Sequence, residues 1–530
     1  MIGSRHQGSK SFFPLTKKET MSYYNSYSTP FYKSVWFFVT SGVVVTILAV
    51  LGYLWGPQLM REMFTYGRNS IPFTLIIVAI ILLAIASYVV SERSGLGALV
   101  AAVVAVGLLA LLVTMWFRVS YDSARNYVDD FETTESASVA YAQRAPQQVA
   151  VASATRTLQD TIGSVGQVKS VADEGEDGLW NTLVTRPGFG VGFESVQSVN
   201  VPLYGPVSNK DVELCKFDQD SANRRLGGAL PSNSLARAIY AETPFSVGFN
   251  GSDAYGYCEN DTPYVVVPLQ QVNGFYAAEW NVYGVAVYNG SNGELDVYTD
   301  SKDVAKIPGP TYPMSMAERQ RDAAAASGSY ADMFFGRAGY DDTAKDEGDP
   351  NGDNNTEFQL RSIDGNSISY VTPLTTRGES TTIVGVSDVA AQFTAQGRNP
   401  VEVTKFGDDT RSANSAIVND LQTTYSNLTD WATGLEVFEI VPADDGNWVA
   451  SIGKSQSVLY RAEIHTDGTF ILRDSKGNII PNNDRGDGTN PDALPTDVPT
   501  GNLSELSTDE LSQLGQDVLD ELARRASDTQ

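Results

Sequence analysis

LGALVAAVVAVGLLALLVTMWF, residues 96–117, runs for 22 residues without a charge, and it is one of three such stretches. SVWFFVTSGVVVTILAVLGYLW fills 34–55 and PFTLIIVAIILLAIASYVV fills 72–90. A helix rises 1.5 Å per residue, so about 20 apolar residues cover the ~30 Å hydrocarbon layer of a bilayer. All three stretches meet that length, and nothing comparable follows Arg118. They predict three transmembrane helices within 33–118, an anchor carrying one large soluble part. The short connection 91–95 predicts an antiparallel hairpin of the second and third spans. Gly97, Ala101 and Ala105 give the third a small-residue face on which another helix can pack closely.

Basic residues beside the spans orient them. Arg5, Lys10, Lys17, Lys18 and Lys33 precede the first, and Arg93 lies between the second and third; Arg61, Arg68, Arg118 and Arg125 fall on the other side. This excess favours a cytoplasmic amino terminus. Three crossings then place residues 118–530 outside the cytoplasm, in a multi-pass protein of the cell membrane. Trp36, Trp55 and Trp116 sit at span ends, where amphipathic rings prefer the interface. The first span lies behind 33 residues and lacks a small-residue cleavage site, so it reads as a retained helix rather than a signal peptide.

The formal charge is −26. Residues 1–117 carry eight Lys/Arg and three Asp/Glu, leaving 29 basic and 60 acidic residues, near −31, in the soluble part. Such a surface repels nucleic-acid phosphates, so no nucleic-acid partner is expected; the lipid bilayer and other proteins are. The only cysteines, Cys215 and Cys258, both lie in that soluble part. In an oxidising compartment they predict a disulfide, and they are too few for a zinc site.

Along the chain, residues 1–32 read as a polar cytoplasmic tail and 119–177 as a helical stalk, rich in Ala, Ser, Thr and Gln and divided at Pro146, with an amphipathic helix packed back onto the domain as the alternative. The fold class expected beyond it is α+β: a two-part, strand-rich ectodomain at 178–345 and 356–475. In the first part, 264–269 reads as a buried strand, and 283–288 with 294–299 as a hairpin around Asn289-Gly-Ser-Asn-Gly293. Ser315-Met-Ala-Glu318 reads as a capping box opening a helix. In the second part, strands are expected at 357–361, 367–371, 435–441, 448–452 and 458–464. A helix is expected over Ile417, Leu421, Tyr425, Leu428 and Ala432, stopped by Gly434. Residues 481–506 read as a disordered linker before a last amphipathic helix, 507–526. Its apolar stripe, Leu511, Leu514, Val518 and Leu522, needs cover from its own domain, from a partner groove or from another copy, the last making a homo-oligomer.

Catalytic motifs do not hold up. Ser451-Ile-Gly-Lys454 matches S-x-x-K but lies in a strand-like stretch without the companion elements of serine acyl enzymes. Gly188-Phe-Gly-Val-Gly192 lacks the spacing and preceding strand of a phosphate loop, and His465 has no nucleophile to serve. One metal set stands out: Asp349, Asn351, Asp353 and Glu357 alternate hard oxygen ligands, making calcium the one cofactor the sequence suggests, although the loop is not an EF-hand. The expectation is a membrane-anchored, non-enzymatic binding or scaffold protein of the cell envelope. An envelope hydrolase using carboxylates and a membrane component of a transfer or secretion assembly are the alternatives.

Overall fold

The computed structural model describes residues 35–65, 79–81, 84, 95–136, 139–158, 163–171, 179–208, 211–228, 230–274, 277–342, 358–361, 367–377, 382–407, 410–426, 428–443 and 447–482. The expected tail 1–32, nearly all of the run 72–90, the linker 481–506 apart from its first two residues and the helix 507–526 with Leu511, Leu514, Val518 and Leu522 lie outside them. So do Asp349, Asn351, Asp353 and Glu357.

Two long helices lead into a folded body of mixed strands and helices: α1, Val35–Thr65, and α2, Gly95–Arg125, each 31 residues. Among the described residues one helical segment, Val103–Asp130, is long and apolar enough to cross a membrane; α1 holds a shorter apolar stretch, Val39–Gly52. Both helices extend beyond their apolar runs, α1 by ten residues past position 55 and α2 by eight past 117.

Among the described residues four sheets build the body. A meander sheet joins Ser164–Ser170, Leu179–Thr185, Phe193–Asn200 and Val212–Lys216 in chain order. A hairpin sheet centres on the antiparallel pair Thr262–Asn273 and Glu279–Asn289, flanked by Tyr255–Glu259 and Leu295–Tyr298. A crossover sheet holds Val401–Lys405, Thr382–Ala390, Ile368–Thr376 and Tyr340–Asp342. Its edge is Phe131–Glu135, running parallel to Val401–Lys405 from some 270 residues earlier. A carboxyl-terminal sheet follows with Glu436–Pro442, Trp448–Lys454, Ser457–Ile464 and Phe470–Asp474.

Period-two alternation explains the layering. In the hairpin sheet, Val265, Val267 and Leu269 enter one core with Leu183, Val196 and Phe217 of the meander. Val266 and Val272 enter another with Ile368, Tyr370 and Val401 of the crossover sheet. The strand is apolar on both faces because both are covered, and each fully buried Val or Leu contributes about 1.5–3 kcal/mol. Crossover residues Val371, Ile383 and Val386 face a third core with Ile440, Trp448 and Ile464 of the carboxyl-terminal sheet. The fourth core returns to the meander, packing Trp180 and Val199 against Phe438 and Val458.

This arrangement corrects the stalk. Residues 131–135 are a sheet edge, and Ala145, Val149, Ala150 and Ala154 are fully buried. Helix α3, Gln147–Thr157, begins directly after Pro146 as expected, yet its small face lies against Trp180 in the fourth core. Alanine reads as weak hydrophobicity in sequence; here it permits close packing. The two ectodomain parts also share cores, since the second and fourth each combine residues from either side of the acidic loop.

Tyr141 fastens the segment before α3, its hydroxyl donating to Asp388 Oδ2 at 2.6 Å. Burial raises the Asp388 pKa above the ordinary carboxylate value, opposed by hydrogen bonds from Tyr141 and Ser369. A carboxyl that ionises less readily when folded adds stability fully present below its unfolded pKa, about 3.9, and lost as pH rises through the folded value. Asp388→Asn removes that titration. Denaturation midpoints of the variant are therefore expected to gain on the wild type between about pH 4 and neutrality, and a wild-type advantage growing with pH would contradict this.

The two cysteines are bonded. Cys215 lies on the outer strand of the meander and Cys258 on the adjacent hairpin-sheet strand, Cα atoms 6.1 Å apart. Two residues before Cys258 the sheets come so close that a Cβ at Gly256 would meet Leu183 Cδ2 and Val196 Cγ2 at 2.7 Å. The bond closes a separation of 43 residues, for which chain entropy predicts about 3–4 kcal/mol of stabilisation. Cys258→Ser should lower the unfolding free energy by about that amount in non-reducing denaturant titrations, with no such loss if wild type is compared after reduction.

Candidate functional site

The ends of α1 and α2 meet the folded body through polar contacts. At Arg61, near the end of α1, the guanidinium is 7% exposed and has left its own helix for another. It reaches the carboxyl end of α4, Leu235–Glu242, donating to the carbonyls of Tyr240 at 2.6 Å, Thr243 at 2.8 Å and Val247 at 3.3 Å. It also donates to the Thr243 hydroxyl at 2.9 Å and to the carbonyl of Pro244. The last carbonyls of a helix have no intrahelical donor and carry its partial negative charge, so an arginine fork satisfies both needs. The rings of Tyr240 and Phe245 lie 4.8 and 5.5 Å from the guanidinium carbon.

Helix α2 is tied in the same manner. Arg125 Nη1 donates to the carbonyl of Ala326 at 3.0 Å and Tyr121 to that of Gly328 at 3.0 Å, capping the short helix that follows α5, Met314–Asp322. One turn earlier, Phe117 meets Phe334 of α6, Tyr330–Phe334, edge to face at 4.9 Å, and Tyr121 meets Tyr330 at 5.8 Å. α6 is opened by a capping box of Ser329 and Asp332.

Arg398 is the hub behind these contacts. It grips Asp130, just beyond α2, with Nε at 2.6 Å and Nη2 at 3.2 Å, and it holds Glu279 at 2.6 Å, Asn281 at 3.0 Å and the carbonyl of Asn126 at 2.9 Å. Burial works against its charge, but the Asp130 and Glu279 carboxylates prevail and raise its pKa. Gln320 donates to Asp130 at 3.0 Å and to the Asn399 carbonyl at 2.8 Å, while accepting from Tyr312 at 2.7 Å. The exit of α2 is therefore locked to the hairpin sheet, the crossover sheet and α5 at once.

A second charged group lies deeper. Arg144, Glu439 and Arg461 are 4%, 1% and 3% exposed. Arg144 Nη2 pairs with Glu439 Oε2 at 3.0 Å, Arg461 Nη2 donates to the Arg144 carbonyl at 3.2 Å, and Arg144 lies 4.8 Å over the Trp180 ring. Register places Glu439 opposite Ser451 and Ser451 opposite Arg461 on three neighbouring strands. Burial pushes the Glu439 carboxyl up and both guanidinium groups down, and the ion pair opposes each shift. This group bridges the carboxyl-terminal sheet, the segment before α3 and the meander.

The residues singled out from sequence fall elsewhere. Ser451 is fully buried beside this charged group, whereas Lys454, three positions along the strand, is exposed and donates to the carbonyl of Thr433. The Gly188–Gly192 loop is pinned by Arg225, which donates to the carbonyls of Arg186 and Gly188 at 3.1 Å, and by Asn223 on Gly190 and Gly192; it presents Phe189, 74% exposed. His465 closes a hairpin turn to Thr469. Among the described residues no group of three or more His, Cys, Asp or Glu could hold a metal. Sequence reasoning counted Arg61 and Arg125 only as topology signals and passed over Arg398, which no local pattern marks. No family model, curated protein or solved structure matches this chain.

Proposed function

We propose that the chain is a membrane-anchored, non-enzymatic extracytoplasmic binding or scaffold protein of the cell envelope, held by three spans at 34–55, 72–90 and 96–117. The observation that carries this is the direction of the two long helices. α1 and α2 both meet the body with their carboxyl ends, through Arg61 and Arg125. Two helices pointing the same way need a return between residues 65 and 95, and the run 72–90 has the length for it. Away from the body their apolar side chains are uncovered, with Val45 63%, Leu48 61%, Val103 66% and Val106 67% exposed; hydrocarbon is the solvent that suits such faces.

The Cys215–Cys258 bond suits an oxidising compartment, and with the charge bias of the spans it supports an extracytoplasmic body. A body tied to its anchor through Arg61 and Arg125 holds its binding surfaces at a fixed height and angle, as a scaffold requires. Protein partners are the expected ligands, with Leu511, Leu514, Val518 and Leu522 offering the capture stripe and the 346–357 loop a calcium site. Since both native cysteines are bonded, Lys476→Cys on an exposed turn gives a single free thiol. An impermeant maleimide should label it in intact cells producing the full chain. Labelling only after lysis would overturn the orientation.

A further inference from the structure

We infer that α6 and the residue after it form an interfacial foot, with Phe334 and Phe335 inserted at the headgroup–acyl boundary of the bilayer that α2 crosses. This rests on the membrane-anchor reading and adds a lipid-contact surface contributed by the folded body itself. Depth comes from α2. Phe117 is the last residue of the apolar run 96–117, so it marks the level at which that run ends. Phe334 packs edge to face on it at 4.9 Å, and Phe335 packs on Phe334 at 5.1 Å. Trp116, 40% exposed, lies 5.0 Å from Phe117 on the same turn.

Four aromatic rings thus form one contact chain at the end of the run, and the two that belong to the body are open: Phe334 is 50% exposed and Phe335 62%. In water such a pair would be an uncovered apolar patch; at a membrane interface aromatic rings are favoured. Cations accompany them. Arg337 lies 5.1 Å over the Phe335 ring, and Arg118, one residue past the run, is 55% exposed beside Tyr121. Arg337, its guanidinium over the ring, is placed to reach headgroup phosphates, whereas Arg118 is paired with Asp122 at 3.1 Å. Above this level the contacts turn polar, Tyr121 bonding Gly328 and Arg125 bonding Ala326, as expected on leaving the acyl region.

The test uses the full chain in liposomes of phosphatidylcholine and phosphatidylglycerol. Phe335→Cys, Ala331→Cys one turn earlier and Leu109→Cys within the run each carry one nitroxide, since the native cysteines are bonded. Collision rates with oxygen and with a water-soluble nickel chelate report depth. At 335 and 331 the oxygen-to-nickel ratio should be several-fold that of free label in water, and lower than at 109. A water-like ratio at 335 and 331 with a lipid ratio at 109 overturns the foot and leaves the anchor standing. A water-like ratio at 109 removes the anchor reading and the foot with it. Dipolar broadening at 335 that persists on lipid dilution overturns lipid as the occupant in favour of a second copy.

Discussion

Replacing Glu439 alone by alanine should cost about 3–5 kcal/mol of stability, because it strands the buried charges of Arg144 and Arg461. Arg144 would lose its 3.0 Å partner, and Arg461, already 3% exposed, would keep a buried charge answered by the Arg144 carbonyl and the Tyr204 ring. Removing all three charges should behave differently. Two buried like charges and one counter-charge cost much desolvation, so Arg144→Met, Glu439→Leu and Arg461→Met together should restore most of the loss. Urea titrations of the full chain in detergent measure both variants. A single variant within about 1 kcal/mol of wild type would mean the site admits water enough to hydrate the arginines.

Arg398→Met is the second effect, about 1.5–3 kcal/mol, since it leaves the largely buried Asp130 without its 2.6 Å cation, while Glu279, 40% exposed, is screened by water. The loss should be coupled: combined with Asp130→Asn, the double variant should be less destabilised than the two single losses added together. The consequence should reach the junction as well. Asp130 lies five residues past α2 and Gln320 of α5 bonds to it at 3.0 Å, so amide exchange at residues 126–130 should accelerate in Arg398→Met. Additive losses with unchanged exchange would show that the 2.6 Å contacts to Asp130 and Glu279 act separately.

Local chemistry was legible where the residues that set it are adjacent. The hairpin strands expected at 283–288 and 294–299 appear as Glu279–Asn289 and Leu295–Tyr298, and Asn289 accepts from the amides of Ser291 and Asn292 as such a turn requires. The strands expected near 435–441, 448–452 and 458–464 appear as Glu436–Pro442, Trp448–Lys454 and Ser457–Ile464. Gly434, at φ +95°, ends the segment that Ile417 and Leu421 begin, although the helix Asn414–Thr424 stops early and resumes as a 3-10 turn, Thr429–Thr433.

The capping box at 315–318 shows the opposite. Pro313 is the N-cap, and the Ser315 amide and hydroxyl both donate to Asp253, some 60 residues earlier. A buried carboxylate from another element supplied the cap that the local pattern had assigned to serine. The supposed stalk failed for a related reason. Its apolar residues are too few for a core of their own, but they join cores whose other members come from the meander and the carboxyl-terminal sheet.

What the sequence by itself determined follows from period and composition: long apolar runs, alternating strands, turn residues and one pair of cysteines, all set within about twenty residues or by elimination. What only the tertiary structure decided depends on pairing across hundreds of residues. Phe131–Glu135 lies beside Val401–Lys405, Arg61 caps a helix that begins at Leu235, and Arg398 locks the exit of α2. No periodicity marks these contacts in advance, because a single arginine or a five-residue edge strand acquires its partner only when packing removes water and leaves a carbonyl, a carboxylate or a strand edge to be satisfied.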